Sequence, residues 1–554
     1  MSKVSIGIDF GTLSARCVVV DVSCGRELGS ADFVYPHAVM DQFLKDGTPL
    51  PADWALQDPQ DYLDALSTVR KALEKSQVSP EDVIGVGIDF TACTLMTTKA
   101  DGTPLCFLDE FAHEKHAYVK LWKHHAAQKE ANELNAIAEK RGEKFLHRYG
   151  GKISSEWMIP KIWQTLREAP HIYDAADRFI EAGDWVIWTL CGNEMRCATL
   201  AGYKAMWSKR DGYPDDAFFA ALDERLRHVV DEKLNRNIYP QGTCAGFITE
   251  KASLLTGLLP GTPVAVCNCD AHVAMPTVGK VSPGQMLMIM GTSNCHMSLG
   301  TEEKEVPGIC GVVEDGIVPN LFGYEAGQSC FGDHYDWFVK NCVPENYAQE
   351  ARERGISLHD LLSEKARKQK VGQHGLLALD WFNGNRSILV DVDLTGLILG
   401  LTLTTKPEDI YRALIEATAF GTRIIIDNYI KNGIPVSSLF AGGGIAQKNS
   451  MLMQIFADVC NLQIHIVRST QAPALGSAMF GALVAGSKNG GYDSIADAAA
   501  AMGGVLDQVY VPNQENHLIY DKIYQEYVRL HDLFGRGGND VMKRLKAIRL
   551  EQNN

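Results

Sequence analysis

The sequence predicts an α/β protein of two domains, with ligands bound beyond the ends of buried strands. "GIDFGT" at residues 7–12 and "GIDFTA" at residues 87–92 each follow an apolar run that leads into an aspartate, Asp9 or Asp89. The stretch "GQMLMIMGTSNCHMSL" at 284–299 repeats the pattern of strand, small-residue turn and strand in the second half. A carboxylate at the end of a buried strand is costly unless it meets a cation, a hydroxyl or backbone donors. Open α/β sheets bind their ligands at this edge.

The first half has the pattern of a ribonuclease H-like unit, which is three strands, a helix, a strand and a helix. Asp58 is a suitable N-cap for the first helix, because Pro59 follows it and leucines and a valine form an apolar stripe. Histidines 113, 116, 124 and 125 are expected on the solvated face of a long polar helix. The predicted strands are 4–9, 16–22, 28–35, 83–90 and 94–98, and the predicted helices are 59–75, 113–140 and 156–168.

The second half repeats this organisation. A long amphipathic helix follows Thr405, which forms a capping box with Glu408. After it, "SSLFAGGGIAQKNSMLMQIFADVC" reads as a strand, a triple-glycine turn and a helix. The loop chemistry of "VGKVSPG" places the domain boundary near 270–282. We therefore divide the chain into domains of residues 1–275 and 276–554.

Bulk properties narrow the class of protein. A chain of 554 residues exceeds one core, and 46% hydrophobic with 22% charged residues is ordinary for a globular protein. The net charge of −15 argues against nucleic acid as a partner. We expect no membrane span and no signal peptide, because no apolar stretch is long enough and the start leads straight into a strand. The scattered 14 cysteines indicate reduced thiols in a cytoplasmic enzyme.

Three glycine-containing turns suggest a phosphate clamp. In Gly11-Thr12 and Gly291-Thr292, glycine lets the backbone approach an anion and the hydroxyl adds a donor. Taken alone, each pair is equally well explained as a hairpin turn. The glycines at 442–444 lie between a strand and a helix, and a tight turn explains them as well when they are considered in isolation. The combination of the three turns with Asp9 is what points to a nucleotide.

The whole pattern resembles the FGGY carbohydrate kinases, a branch of the actin and sugar-kinase superfamily. The motifs that carry the resemblance are "DFGTLSAR" at 9–16, "EAGDWVIWTLCG" at 181–192, "DAH" at 270–272, "MGTS" at 290–293, "GLILGLTLTTKPEDIYRALIEATAFG" at 396–421 and "AGGG" at 441–444. The resemblance implies two ribonuclease H-like, actin-like ATPase domains with the active site in the cleft between them. "HAYVKLWKHHAAQ", "GGKISSEWMIPKIWQ", "AGYKAMW" and "GYEAGQSCFGD" resemble most closely the branch that phosphorylates ribulose.

The resemblance implies a sugar pocket and a general base. A sugar hydroxyl loses its proton only when a carboxylate accepts it as the phosphoryl group arrives. Asp270 matches the family's base, although a helix N-cap is a second role for it. Lys204 and Glu325 match sugar contacts of that branch, and Ala92 would contact the sugar through its backbone. Asp89 is interpreted as structural.

The resemblance also implies ATP and Mg²⁺ as cofactors. Asp9 matches the residue that holds Mg²⁺ through water, which suits an ion that keeps most of its waters. Arg16 matches a phosphate-loop position, with pairing to a surface acid as the alternative. Lys448 falls where glycerol kinase-like members have Asn. The nucleotide-binding residues implied are Gly11, Thr12, Arg16, Gly291, Thr292, Gly332, Gly443, Gly444 and Lys448.

The activity implied is ATP-dependent transfer of phosphate to the terminal hydroxyl of ribulose, in arabinose breakdown in the cytoplasm. The partners are then a small sugar and ATP, with no nucleic acid and no membrane, and with a homodimer as the assembly to test. One alternative is the same chemistry on another ketose or polyol, such as xylulose. An alternative of another class is an actin-like ATPase that acts as a chaperone or a sugar-sensing module.

Overall fold

Two large mixed sheets organise the protein in the computed structural model, which describes residues 3–553. The first sheet has seven strands: Val4–Phe10, Ser14–Asp21, Glu27–Val34, Val83–Phe90, Cys244–Phe247, Pro263–Ala265 and Asn268–Cys269. The second also has seven: Gly284–Met290, Asn294–Gly300, Gly311–Glu314, Phe322–Gln328, Val436–Gly442, Ile464–Val467 and Val505–Tyr510.

The same topology recurs in both sheets. In the first, the Val4–Phe10 strand pairs antiparallel with Ser14–Asp21 and parallel with Val83–Phe90. In the second, the Gly284–Met290 strand pairs antiparallel with Asn294–Gly300 and parallel with Val436–Gly442. The predicted repetition of the two halves is therefore confirmed. The division of the chain at residue 275 stays a prediction.

The register of the first sheet explains the two "GIDF" stretches. Asp9 lies directly opposite Asp89 on the parallel side and opposite Arg16 on the antiparallel side. The two aspartates therefore end neighbouring strands at the same edge, as the sequence predicts.

Helices surround both sheets. In the first half they are Pro59–Ala65, Ser67–Ser76, Gln128–Arg141, Met158–Glu168, Pro170–Ala175, Ala182–Cys191, Ala198–Lys204, Asp216–Leu222, Val229–Lys233, Glu250–Thr256 and Asp270–Val273. In the second half they are Gly332–Asn341, Glu345–Arg354, Leu358–Arg367, Pro407–Lys431, Gly444–Lys448, Ser450–Cys460, Ala472–Ala485, Ile495–Met502, Gln514–Gly535 and Val541–Asn553. Asp58 caps the first helix as predicted, accepting the N–H of Gln60 at 2.9 Å. In the part of the chain that the structure describes, no helix has the length and apolar character to cross a bilayer.

The predicted helix over 113–140 is wrong in its first half. Only Gln128–Arg141 is α-helical, while Lys115–Ala117 forms a single 3₁₀ turn and Val119–Lys120 joins a small four-stranded sheet. The predicted solvated histidine face is wrong for His116 and His124, which are buried edge-on against Trp54 with ring centroids 4.8 Å apart, whereas His113 is exposed as predicted. Residues 113–127 pack on the aromatic core and pair with the small sheet, and these contacts outweigh the preference of their polar composition for a helix.

The predicted capping box at Thr405 and Glu408 is also displaced. The helix is Pro407–Lys431, and Asp409 accepts the backbone N–H of Lys406 at 2.8 Å. Pro407 sets this start, because proline fits the first turn of a helix, where its missing N–H costs nothing.

One helix of the second half, Ala472–Ala485, packs directly on the first sheet. A Cβ added at Gly7, Gly85 or Gly87 would collide with the backbone of this helix. Ser5 Oγ donates to the carbonyl of Ala478 at 2.7 Å across the same contact. The glycines that alternate with apolar residues in both "GIDF" strands therefore leave room for a helix. The sequence pattern of the strands alone does not show why glycine is needed there.

Candidate active site

Three carboxylates gather where the two "GIDF" strands end. Asp9 faces Asp89 across the parallel strands, and Asp270 begins the short Asp270–Val273 helix beside them. Burial, together with the charge of Asp270, raises the pKa of Asp9 to about 6. Carboxylates that share a dry site resist ionising together, so this cluster favours a cation or protons.

Asp89 has the structural character expected for it. Its side chain is fully buried, and Ser477 Oγ of the Ala472–Ala485 helix donates to its Oδ2 at 2.6 Å. Burial and the neighbouring Asp9 hold the pKa of Asp89 well above its usual range. Asp89 is therefore held inside the contact between the first sheet and this helix.

Asp270 lies within the first turn of its helix rather than at the N-cap, which is Cys269. Its Oδ1 accepts the backbone N–H of Ala271 at 2.7 Å and the thiol of Cys269 at 3.3 Å. Burial raises the pKa of Asp270, although these bonds oppose the rise. A carboxylate held in this way with a raised pKa is suited to accepting a proton.

A buried ion pair joins the two halves beside this base. Lys204 Nζ lies 3.1 Å from Glu325 Oε2, and the two side chains are 9% and 10% exposed. Lys204 comes from the helix Ala198–Lys204 and Glu325 from the strand Phe322–Gln328. His272 Nε2 lies 3.2 Å from the same Oε2 atom. Burial alone would raise the pKa of Glu325, but Lys204 and His272 hold it well below its usual range.

Buried charged side chains form hydrogen bonds with the backbone of the turn that contains Ala92. Lys161 Nζ donates to the carbonyl of Cys93 at 2.6 Å and to that of Leu121 at 2.8 Å. Glu181 accepts the backbone N–H of Thr94 at 3.0 Å. Burial lowers the pKa of Lys161 to about 8. Lys161 thus ties together two loops at the edge of the sheet.

A separate cavity of about 760 Å³ opens in the second half. Five of the predicted nucleotide-binding residues line it, namely Gly291, Thr292, Gly332, Gly444 and Lys448. Its remaining lining residues are Met290, Asp333, Tyr335, Asp336, Ser357, His359, Asp360, Ser363, Tyr411, Ile445, Asn449 and Leu452. A cavity of this volume is suited to a nucleotide.

Backbone contacts bring the glycine turns of this cavity together. The N–H of Gly332 donates to the carbonyl of Gly291 at 3.0 Å, and Phe331 N–H donates to that of Thr292 at 2.9 Å. Gly443 has a φ of +99°, and a Cβ there would lie 2.5 Å from the carbonyl oxygen of Met290. A Cβ at Gly444 would meet nothing within 4 Å, so its backbone faces open space.

The phosphate-loop residues of the first half are absent from the residues that line this cavity. Gly11 closes the hairpin turn by donating to Ser14 O at 3.0 Å. The hydroxyl of Thr12 accepts the indole N–H of Trp122 at 3.0 Å. Arg16 pairs with Asp32 at 2.6 Å, the surface acid that was its alternative partner. Their nucleotide contacts stay predictions.

Sequence reasoning missed three residues of the cleft: Lys161, His272 and Arg386. For Lys161 a signal was present, since one charge interrupts the apolar stretch "MIPKIW". His272 stands in the "DAH" motif, but its contact with Glu325, like the position of Arg386 beside Glu156, depends on residues from distant parts of the chain.

Comparisons with known proteins show relatives along nearly the whole chain. The model of the FGGY family of carbohydrate kinases, N-terminal domain, matches residues 4–276, and that of the C-terminal domain matches residues 286–485. A ribulokinase of Geobacillus thermodenitrificans is 58% identical over 98% of this chain and 97% of its own. A ribulokinase of Mycolicibacterium smegmatis is 50% identical over 99% and 96%.

Solved structures show the same fold. A ligand-bound xylulose kinase from Lactobacillus acidophilus has a TM-score of 0.79 and 17% identity, covering 97% of this chain and 99% of that one. A gluconate kinase from the same organism has a TM-score of 0.78 and 16% identity, covering 97% and 99%. The predicted two-domain fold is confirmed, and the chain belongs to the FGGY family of carbohydrate kinases.

Proposed function

We propose that this carbohydrate kinase is a ribulokinase, which transfers phosphate from ATP to ribulose and yields ribulose 5-phosphate in the breakdown of L-arabinose. The observation that carries the proposal is the buried Lys204–Glu325 pair beside Asp270, where the two halves of the chain meet. Relatives at 50–58% identity over nearly the full chain, each a ribulokinase, support the same substrate. We assign the reaction to the cytoplasm, because the ATP that it consumes is present there.

The sugar would bind between Lys204, Glu325, Asp270 and the turn at Ala92. Charged groups of both signs and backbone donors suit a molecule that offers a carbonyl and four hydroxyls. A pocket that hydrogen-bonds particular hydroxyls rejects sugars that lack them, because its buried polar groups are then left unpaired. Lys161 and Glu181 hold the Ala92 turn in place, so that its backbone is ready before the sugar arrives.

Asp270 would accept the proton of the terminal hydroxyl as the new O–P bond forms. Its raised pKa brings it closer to neutrality, which improves a carboxylate as a base. The bond from the γ-phosphorus to ADP breaks in the same step. The proton resides on Asp270 until it is released to solvent.

Asp9 and the glycine turns would organise the nucleotide. Asp9, Asp89 and Asp270 lie near one another, but in residues 3–553 no three His, Cys, Asp or Glu side chains are arranged so that they alone could hold a metal ion. Mg²⁺ bound to a nucleotide needs only one or two carboxylates because it keeps waters. The crowded charge at Asp9 fits a site that receives a cation. Mg²⁺ bound with ATP would neutralise phosphate charge. Gly291, Thr292, Gly332, Gly443, Gly444 and Lys448 would hold the nucleotide in the cavity.

The test is ADP release with purified protein and each of the four 2-ketopentoses. We expect turnover with ribulose to exceed that with xylulose, and the ratio for the L- and D-isomers will define the stereochemical preference. Equal ADP release with every sugar and without sugar would favour an ATPase of another kind. A preference for xylulose would replace the substrate but keep the kinase.

A further inference from the structure

Arg386 is a cation of the second half that reaches into the cleft. Its side chain is 20% exposed. Its nearest acid is Glu156 of the first half, at 3.8 Å, and its guanidinium carbon lies 5.7 Å from the centre of the Trp122 ring. The residue therefore touches both halves at the point where they face each other.

The donors of this guanidinium are unused. A distance of 3.8 Å to Glu156 is too long for a hydrogen bond. Within residues 3–553 no side chain or carbonyl accepts a hydrogen bond from Arg386. The other cations of the site differ, because Lys204 is bound to Glu325 and Arg16 to Asp32. The side chain is 20% exposed and its N–H donors have no acceptor among the described residues, so they are free to bind an anionic ligand in the cleft.

The position of Arg386 lies between the sugar and the phosphate loops. A Cβ at Gly327 would lie 3.5 Å from Arg386 Cδ. Gly327 faces the same side of its strand as Glu325 and is two residues, or about 7 Å, nearer to the Gly291–Thr292 turn. On the opposite side, Trp122 connects the guanidinium to the hydroxyl of Thr12.

We propose that Arg386 is a further catalytic residue, which binds the oxygens of the phosphoryl group as it passes from ATP to the sugar. The inference rests on the proposed kinase function and adds a residue to it. The bond from phosphorus to the sugar oxygen forms, the bond to ADP breaks, and the sugar proton goes to Asp270. Arg386 neither gains nor loses a proton, and its fork of donors neutralises charge on the transferring oxygens.

The experiment compares three variants of the full chain. Arg386→Ala removes the guanidinium, Arg386→Lys keeps the charge without the fork, and Glu156→Gln removes only the nearest acid. We expect Arg386→Ala to lower kcat about 100-fold, as the loss of a donor to transition-state charge does. KM for ribulose should change by about threefold or less, because that interaction is made mainly in the transition state. Millimolar guanidinium should restore part of the kcat of Arg386→Ala, Arg386→Lys should fall in between, and Glu156→Gln should resemble wild type.

Two results would overturn the proposal. The first is a wild-type kcat in Arg386→Ala. The second is a loss of kcat in Glu156→Gln as large as that in Arg386→Ala, together with no rescue of Arg386→Ala by guanidinium. That second result would show that Arg386 acts only through an ion pair between the halves. If Arg386→Ala fails to fold, Arg386→Lys replaces it in the test. A lowered kcat at an unchanged melting temperature would then support the proposal, and a wild-type kcat would contradict it. Turnover of ribulose by wild type tests the proposed function separately. ATP hydrolysis without sugar transfers the same phosphoryl group to water, so it tests Arg386 even if ribulose proves to be the wrong substrate.

Discussion

Removing Lys204 and Glu325 singly and together separates a role in sugar binding from a role in folding. In a site that is about nine-tenths buried, Glu325→Gln leaves Lys204 without its charged partner, and Lys204→Met leaves Glu325 with His272 alone. The double variant removes both charges. The three variants and wild type form a double-mutant cycle.

The structure sets the size of the effect. Removing one partner of a buried ion pair costs about 3–5 kcal/mol, since the remaining charge is desolvated and unpaired. For 554 residues the entropy of unfolding near the midpoint is about 1.2 kcal/mol/K, so Glu325→Gln should lower Tm by about 3–4 °C. Lys204→Met should lower Tm by less, because His272 remains beside Glu325. The double variant should be more stable than either single variant, because no buried charge is left alone.

Sugar turnover should respond differently from stability. If Lys204 and Glu325 contact ribulose, kcat/KM should fall about tenfold or more in each single variant, since one lost hydrogen bond costs about 1–3 kcal/mol. It should stay low in the double variant, which has regained stability but has neither contact. The ratio of kcat/KM for ribulose to kcat/KM for xylulose should become smaller in each variant. The assays are ADP release with both sugars and the melting temperature of each variant without sugar.

The pH dependence gives an internal check. The pKa of Glu325 is lowered in the folded protein, so its contribution to stability is present above the unfolded pKa, about 4.5, and is lost as pH falls through the folded value. The pKa of Lys204 is raised, so its contribution is present below the unfolded pKa, about 10.5, and is lost as pH rises through the folded value. The stability difference between wild type and Glu325→Gln should therefore be constant near neutrality and shrink below about pH 4.5.

Recovery of both stability and kcat/KM in the double variant would contradict a role of Lys204 and Glu325 in sugar binding. The pair would then act as an internal contact between the halves, with no role in choosing the sugar.

Three further predictions concern other residues of the cleft. Asp270→Asn should abolish phosphorylation and leave ATP binding by calorimetry intact, because a carboxamide cannot accept the proton; substantial residual turnover would remove Asp270 from this role. Asp9→Ala should lower Mg²⁺- and ATP-dependent turnover more than ribulose binding, and the reverse order in titrations of metal and sugar would contradict its assignment. Lys161→Met should raise KM for ribulose about tenfold with KM for ATP unchanged, because the Ala92 turn loses its support; equal losses for both substrates would indicate general destabilisation.

The sequence predicts the strand order well because periodicity and strand-end chemistry are local. Val4–Phe10 and Val83–Phe90 read as buried strands, and the alignment of Asp9 with Asp89 follows from parallel pairing. The segment from 113 to 127 is the contrary case. Its polar composition favours a helix, but Val119 and Lys120 pair with strands elsewhere and His116 packs on Trp54. Such choices depend on partners that local propensity does not contain.

The candidate site divides in the same way. Glycine turns and a strand-end aspartate carry their chemistry in a few adjacent letters, so Gly291, Gly444 and Asp9 are recognisable in the sequence. Lys204 and Glu325 are far apart in the chain, and only the fold shows that each is the other's partner. The same holds for Arg386, whose unpaired donors become evident only when all its neighbours are known.

The contacts between the halves are of two kinds, and this difference bears on how the cleft works. The Ala472–Ala485 helix lies so close to Gly7, Gly85 and Gly87 that no Cβ would fit, and Ser477 bonds Asp89 within that contact. A contact between backbones at this distance cannot slide without clashing. The Lys204–Glu325 pair consists of two long side chains, which can change rotamer without moving the backbone. We therefore infer that the helix keeps the acidic cluster fixed, and that the side chains across the cleft rearrange as the sugar enters.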